Sequence, residues 1–157
     1  MNFQIHALPR AAFDALFALS DDALRARDIR RVVADASGGF PCRVSLQDAV
    51  EGERLLLLPY EHHRVNTPYR ASGPIYVRED AAQALPDADG IPELLRRRML
   101  SLRGYDAKGM MRSAEVVPGV ELEAAIARLF AIERIAYLHA HYALPGCYAC
   151  RIERADP

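Results

Sequence analysis

One unbroken run of leucines, at residues 55–58, stands out from the alternation of apolar and polar positions along the chain. Side chains on a strand point alternately to its two faces, so consecutive leucines indicate a strand that is buried on both faces. We therefore predict a central strand at residues 54–60. The surrounding segment, residues 38–79, also contains many closely spaced polar, glycine and proline residues. We therefore expect the core and the functional site to meet there.

The remaining segments divide into strands with a two-residue period and helices with apolar positions three or four residues apart. Strands are predicted at residues 3–7, 29–34, 75–79, 99–105, 110–117, 135–142 and 147–153. Helices are predicted at residues 13–17, after the N-cap Ser20, at residues 46–51, at residues 92–98 and along the apolar stripe of residues 122–130. The helix at residues 46–51 rests on Ser45 and Asp48, which have the spacing of a capping box. Residues 80–90 are predicted as a surface connection.

Two connections between these strands are too short for a parallel crossover. Residues 106–109 and 143–146 both contain glycine and are typical of hairpin turns. The predicted strands also outnumber the helices. The sequence therefore predicts an α+β fold with a mainly antiparallel sheet and a few short helices, and we expect residues 1–157 to form a single domain because no linker interrupts them.

The composition is that of an ordinary globular protein, with 51% hydrophobic and 26% charged residues. A net charge of -1 provides no global field for DNA, RNA or an anionic membrane. The basic triplet Arg96-Arg97-Arg98 is explained by its position near a predicted helix C-terminus, where positive charge offsets the helix dipole. We expect neither a nucleic acid nor a membrane as partner.

Cysteine usage indicates a reducing compartment. The chain has three cysteines, Cys42, Cys147 and Cys150, and the N-terminal residues lack the pattern of an export signal. An odd number of cysteines without an export signal favours free thiols over a disulfide framework. We therefore expect a cytoplasmic protein whose three cysteines are reduced.

Several short runs in the chain resemble a family of small bacterial proteins that is catalogued only as domain of unknown function 1203. The runs are Gly39-Phe-Pro-Cys-Arg-Val-Ser-Leu46, Pro68-Tyr-Arg-Ala-Ser-Gly-Pro74, Leu100-Ser-Leu-Arg103, Tyr105-Asp106 and Gly146-Cys-Tyr-Ala149. The resemblance covers nearly the whole chain and implies a bacterial source. It implies no activity, cofactor or catalytic residue, because the family has none assigned, and Cys150 lies outside the family pattern.

Cys147 and Cys150 have the spacing of a zinc or redox motif, and His139 and His141 would complete four nominal ligands. A redox motif of this spacing usually opens a helix, whereas these cysteines lie in a predicted strand. With a four-residue turn, Tyr142 pairs with Cys147, so His139, His141 and Cys150 are expected on one face and Cys147 on the other. We favour packed thiols over a metal site, and zinc at His139 and His141 is the alternative.

Two imidazoles on one face of a strand are also how β-scaffolds present an acid or a base. We take His62, His139 and Glu61 as the candidate catalytic residues. Glu61 and His62 at the end of the central strand would complete the pair, either as a third metal ligand or as the partner that fixes a histidine tautomer. The alternative is that the histidines are surface groups or hydrogen-bonded structural groups.

Residues 68–74 combine a guanidinium, hydroxyl groups and backbone N–H groups in one predicted loop, which is the equipment for binding a carboxylate or phosphate. The candidate ligand-binding residues are Arg43, Tyr69, Arg70, Ser72, Gly73, Arg78, Arg103 and His141. The alternative is that the arginines form structural salt bridges with Glu61, Glu79 and Asp106.

These observations leave two hypotheses. The first is a protein that binds a small anionic molecule and uses histidine and glutamate as acid and base. The second is a non-catalytic binding or protein-interaction module, including a homodimer, whose polar cluster is structural. Under the first hypothesis, the functional surface lies where the Glu61-His62 end of the central strand meets the loop at residues 69–73 and the strand at residues 139–141.

Overall fold

The computed structural model describes residues 2–155. In chain order the strands are β1 (Phe3–His6), β2 (Arg30–Val33), β3 (Arg54–His63), β4 (Ala71–Arg78), β5 (Met99–Tyr105), β6 (Met111–Pro118), β7 (Tyr137–Tyr142) and β8 (Tyr148–Arg154). The α-helices are α1 (Asp14–Phe17), α2 (Asp21–Arg25), α3 (Glu93–Arg96) and α4 (Leu122–Phe130). Within the described part of the chain, no helix is both long and apolar enough to cross a membrane.

The strands form two antiparallel sheets, which confirms the predicted α+β class. The larger sheet has the order β1-β8-β7-β5-β6, and the smaller has the order β2-β3-β4. The leucine-rich strand β3 is central, as predicted, but it is central to the smaller sheet. The large sheet is built instead around β7, which lies between β8 and β5.

One face of the large sheet is apolar and carries the main core. The apolar stripe of α4 packs against it, and Leu122, Ile126 and Phe130 are each at most 1% exposed. Burying a side chain such as Ile126 stabilises the fold by about 2 kcal/mol. The predicted stripe of α4 is therefore confirmed as the main helical cover of this sheet.

The smaller sheet packs its leucines into two further clusters. Leu56 and Leu58 lie in a cluster that also contains Tyr148 of the large sheet, and Leu55 lies in another on the opposite face. Leu57 is only half-buried, so β3 is less completely enclosed than predicted. Because Tyr148 belongs to the cluster of Leu56, the two sheets contact each other directly.

Local sequence signals are confirmed where the partners are local. Ser20 Oγ accepts a hydrogen bond from the backbone N–H of Ala23 at 3.2 Å, so the predicted N-cap begins α2. Gly109 adopts φ 86° in the turn between β5 and β6, and Gly146 adopts φ 78° before β8. Both hairpins were predicted from these turns.

The helix predicted at residues 46–51 does not form. Leu46 adopts φ 49°, which is incompatible with a right-handed helix. Asp48 does not cap a helix, because its carboxylate accepts hydrogen bonds from Arg98, including one of 3.0 Å from Nη1 to Oδ2. Ser45 Oγ accepts from Arg78 Nη1 at 3.2 Å. The capping spacing is present, but distant arginines bind both side chains.

Two strands extend further than predicted. β3 continues past residue 60 to His63, and β4 begins at Ala71 instead of residue 75. A register shift between Tyr60 and His63 lets the pairing of β3 with β4 continue to His63 and Ala71. Glu61, His62 and His63 therefore lie on a strand, and half of the predicted anion-binding loop is strand as well.

Candidate functional site

The second face of the large sheet is polar and carries the candidate site. Register pairs Arg103 of β5 with His139 of β7, and Ser101 with His141. Residues directly opposite each other on antiparallel strands share a face, so these side chains emerge together. The small sheet adds His62 and His63 from the end of β3, and four imidazoles meet between the sheets.

The imidazole rings lie close together. The ring centroid of His62 is 6.2 Å from that of His139 and 5.1 Å from that of His141. His62 also stacks on Tyr148, with ring centroids 5.2 Å apart and an interplanar angle of 15°. The predicted convergence of His62 and His139 on one side of the fold is confirmed.

His63 is a structural histidine. It is 2% exposed, and its Nδ1 lies 2.7 Å from the carbonyl oxygen of Tyr69. A carbonyl only accepts, so Nδ1 carries the proton and donates, while Nε2 accepts from the hydroxyl of Tyr137 at 2.7 Å. Both ring nitrogens therefore have hydrogen-bond partners. Through them His63 connects Tyr69, in the loop at residues 64–70, to Tyr137 in the large sheet.

His141 has a fixed tautomer and one unused nitrogen. Its Nδ1 donates to the carbonyl oxygen of Gly146 at 3.0 Å, which leaves a lone pair on Nε2. That Nε2 is buried and has no hydrogen-bond partner among the described residues, and the same holds for Nδ1 of His62 and Nδ1 of His139. Buried polar atoms without a partner are uncommon in native proteins and indicate a bound water or ligand.

Three of these imidazoles are neutral at pH 7. Burial lowers the pKa of His139 to about 2 and the pKa of His62 and of His141 to about 4. The positive charge of Arg103 lowers the pKa of His62 and of His141 further. Arg151, which lies opposite His139, lowers the pKa of His139 in the same way. The site therefore combines permanently charged arginines with several neutral imidazoles that have unused nitrogens.

Arg103 has no carboxylate partner in the described chain, whereas Arg151, which lies beside His139, is paired with Glu153. Arg103 makes a long hydrogen bond of 3.5 Å from Nε to Ser101 Oγ. Its charge and a hydrogen bond to the Tyr105 hydroxyl also lower the pKa of Tyr105, which burial raises. Most other arginines of the fold pair with an acid, including Arg78, Arg98 and Arg112. A half-buried guanidinium without a carboxylate is suited to pair with an anion from solution.

The site opens toward the edge strand β6. Ala114 lies opposite Arg103 and Val116 lies opposite Ser101, so all four share the polar face. Both β6 residues are exposed, and Val116 has 61% of its surface open to solvent. The β6 side of this polar face is therefore open to solvent next to Arg103.

The structure brings together only some of the predicted residues. His62, His139, His141 and Arg103 converge, and Tyr69 borders them, with its ring 6.2 Å from that of Tyr105. Glu61 does not orient a histidine, because both its oxygens accept from Arg70 Nη2, at 3.0 and 3.1 Å. Arg70 is therefore part of an exposed salt bridge, as the structural alternative predicted.

The remaining predicted ligand residues lie outside the cluster. Arg78 pairs with Glu53, which lowers the pKa of that carboxyl. Ser72 is an exposed residue of β4, and Gly73 pairs with Tyr60 in the small sheet. Arg43 is 1% exposed and donates to the carbonyl oxygens of Tyr148 and Pro41 at 2.7 and 2.5 Å. Its guanidinium packs between the sheets and lines a cavity beside Cys147.

The predicted placement of the cysteines is partly wrong. Tyr142 N–H donates to the Cys147 carbonyl at 2.9 Å, as predicted, but a register shift then pairs Ala140 with Cys150. Cys150 therefore lies on the apolar face, away from the imidazoles. All three cysteines are free, as predicted.

The described residues contain no group of three or more His, Cys, Asp or Glu side chains arranged to bind a metal.

Sequence reasoning missed the aromatic residues that enclose the imidazoles, namely Tyr105, Tyr137 and Tyr148. The ring of Tyr105 stacks on that of Tyr137 at 5.4 Å, and Tyr148 lies 5.1 Å from His139. A signal was available on β5 and β7, because Tyr105 is two residues after Arg103 and Tyr137 is two residues before His139. The two-residue period of a strand places each pair on one face.

Comparison with known proteins gives one match. Residues 39–154 match the model of a family described as "Protein of unknown function (DUF1203)". No curated protein and no solved structure matches the chain significantly. The matched residues include all four imidazoles of the site and Arg103.

Proposed function

We propose that this chain, which belongs to the DUF1203 family of proteins of unknown function, binds a small anionic molecule at Arg103 and the imidazoles of His62 and His141. The observation that carries the proposal is the charge of Arg103, which no described carboxylate neutralises. A carboxylate or phosphate supplies the missing negative charge and can accept two N–H groups of one guanidinium.

The imidazoles narrow the chemistry of the anion. His141 offers only a lone pair at Nε2, because its Nδ1–H already donates to Gly146. A bare carboxylate beside that lone pair is repelled unless His141 gains a proton. A hydroxy acid or a protonated phosphate carries both a negative group for Arg103 and a hydrogen-bond donor for Nε2.

Binding of the anion should be linked to proton uptake. A negative charge beside His62 and His141 favours their charged forms, which opposes the effects of burial and Arg103 that lower their pKa values to about 4. Binding should therefore strengthen as the pH falls from 7 toward 5, as long as the protein stays folded.

His141 also supports a second candidate function, which is acid–base catalysis on the bound anion. Its tautomer is fixed by a backbone carbonyl, and its free nitrogen faces the polar site, which is the arrangement of a general base with an orienting partner. Glu61 takes no part in it, because its carboxylate binds Arg70.

Thermal unfolding with a panel of anions tests the binding proposal. Phosphate, L-malate and acetate, each compared with chloride at equal ionic strength, separate charge from hydrogen-bond donation. At about 100 times the dissociation constant, a ligand stabilises by about 2.7 kcal/mol, which raises the melting temperature of a domain of this size by about 5–10 °C. We expect phosphate or L-malate to stabilise more than acetate.

Matched arginine variants locate the effect. Arg103→Ala should abolish the stabilisation by anions, whereas Arg70→Ala should retain it, because Arg70 is already paired with Glu61. The loss of that exposed pair should cost less than about 1 kcal/mol of intrinsic stability. If no anion stabilises the protein more than chloride does, or if Arg103→Ala keeps the effect, the proposal is wrong.

We also place this function in the cytoplasm of a bacterium. Three unpaired cysteines, two of them buried, support a reducing compartment. Fractionation of cells that express the native protein tests this assignment, and recovery with exported proteins would contradict it.

A further inference from the structure

A cavity lies at the turn between β7 and β8, and none of the four histidines lines it, so it has no part in the function proposed above. It encloses about 590 Å³, which is within the range of small-molecule sites. The turn between β7 and β8, the start of β5 and the segment around Gly38 and Gly39 form its walls. Its lining includes Cys147, the single partly exposed cysteine of the three, together with Arg43 and Tyr142.

Arg43 is buried in the wall of this cavity, and no carboxylate in the described part of the chain pairs with it. Its guanidinium N–H groups donate to the carbonyl oxygens of Tyr148 and Pro41. Nη2 also donates to the sulfur of Cys147 at 3.1 Å. A buried guanidinium without a counter-charge is costly, because carbonyl dipoles replace only part of its hydration. Of the groups described as hydrogen-bond acceptors of Arg43, Cys147 alone can become an anion, because the other two are backbone carbonyls.

Tyr142 gives an independent indication that the cavity takes a ligand. The residue is 3% exposed, lines the same cavity, and its hydroxyl is buried without a hydrogen-bond partner among the described residues. The guanidinium carbons of Arg43 and Arg98 lie 5.0 and 5.2 Å from the centre of its ring. A cavity wall that combines an unused hydroxyl with two guanidinium groups beside the same ring is suited to a polar, negatively charged molecule.

The other two cysteines are enclosed differently. Cys42 is fully buried, and its sulfur accepts hydrogen bonds from the backbone N–H groups of Ser45 and Arg78 at 3.4 and 3.3 Å. Cys150 is 1% exposed in the main core. Neither sulfur is accessible from a cavity described here, so both serve as internal references for the reactivity of Cys147.

We propose that Cys147 is a thiol–disulfide exchange site for small disulfides that carry carboxylates, the chemical class of oxidised glutathione. The Cys147 thiolate, paired with Arg43, attacks one sulfur of the disulfide. A bond forms between the two sulfurs while the original S–S bond breaks, and the second half of the disulfide leaves as a thiolate that takes a proton from water. Cys147 is oxidised and the departing half is reduced, so electrons balance without a further reactant.

The charges around the cavity favour an anionic disulfide. Arg97 and Arg98 line it beside Arg43. Arg98 is paired with Asp48 and Arg97 with Glu93, but no carboxylate among residues 2–155 pairs with Arg43. A concave surface with excess positive charge concentrates anions and speeds their encounter with the thiol. A cationic disulfide should gain no such advantage.

The experiment treats the reduced, native, full-length chain at pH 7 with oxidised glutathione or with cystamine, a small disulfide of opposite charge. Peptide mass mapping follows the mixed disulfide at each cysteine. We expect Cys147 to be modified before the other two cysteines. Oxidised glutathione should modify it about tenfold faster than cystamine does. This preference for the anionic disulfide should be lost in the urea-unfolded chain. Cys147→Ser should prevent the modification, and Cys150→Ser should leave its rate unchanged.

The opposite results overturn the proposal. They are a native Cys147 that reacts more slowly than Cys147 in the unfolded chain, or equal rates with the two disulfides. The wild-type rates decide without any variant at Arg43, whose removal could unfold the protein. The anion panel proposed for Arg103 does not involve Cys147, so the two proposals can fail separately.

Discussion

Lowering the pH from 7 to 5 should destabilise the fold, because the buried imidazoles resist protonation that the unfolded chain accepts. The folded pKa is about 2 for His139 and about 4 for His141, against about 6.5 for an unfolded histidine. Between about pH 6.5 and pH 4 the unfolded chain therefore binds more protons than the folded chain. Stability falls as the pH decreases through that window, and the contribution is complete above it.

The magnitude follows from the proton linkage. Each fully buried imidazole lowers the free energy of unfolding by about 2 kcal/mol between pH 7 and pH 5. His139 and His141 together therefore lower it by about 4 kcal/mol. His62 is half-buried, and solvent screening makes its share smaller. A loss of about 4 kcal/mol is a large part of the stability of a typical domain and lowers the melting temperature by about 8–16 °C.

Urea titrations at pH 7, 6 and 5 measure this loss, and a matched pair of variants assigns it. His141→Asn keeps a donor for the Gly146 carbonyl but does not titrate, so the loss should fall from about 4 to about 2 kcal/mol. Gly73→Ala is the control, because the added methyl group has open space around it and no titratable group is removed. Every imidazole remains, so this variant should keep the wild-type pH dependence. If wild type and His141→Asn lose the same stability, His141 does not resist protonation and the reasoning is refuted.

Two further predictions concern the scaffold. Leu56→Asp should prevent folding, because Leu56 is fully buried, whereas Leu57→Asp should leave a folded protein of lower stability, and circular dichroism with urea melts distinguishes them. Gly119→Ala should cost more than about 3 kcal/mol, because a Cβ there overlaps the backbone carbonyl of Leu95, while Gly73→Ala, which has open space around it, should change the melting temperature little. Equal effects within either pair would contradict the packing described here.

Sequence reasoning succeeded where structure depends on neighbours along the chain. The Ser20 cap, the apolar stripe of α4 and the glycine turns each rest on residues within a few positions, and all are confirmed. The helix at residues 46–51 failed because Arg98, 50 positions away from Asp48, takes the carboxylate that the capping box needed. Local spacing does not reveal such a partner.

The site was predictable in part for the same reason. Strand periodicity placed His139 and His141 on one face, and the end of β3 was correctly expected beside them. The register shift before His141 moved Cys150 to the other face, and no residue type signals it. The division of the strands into two sheets also depends on pairing between distant residues. Sequence alone therefore could not show that Arg70 pairs with Glu61 while Arg103 lies beside the imidazoles.

The most direct test of the account is an NMR measurement of the imidazole nitrogens while L-malate or phosphate is added. An anion bound at Arg103 should cause a saturable change at Nε2 of His141 and at the ring of His62. His63 should stay unchanged, because Tyr69 and Tyr137 occupy both its nitrogens. Arg103→Ala should abolish the change. Signals of His62 and His141 that stay constant at the highest anion concentration, or that shift equally in Arg103→Ala, would contradict the proposed anion site.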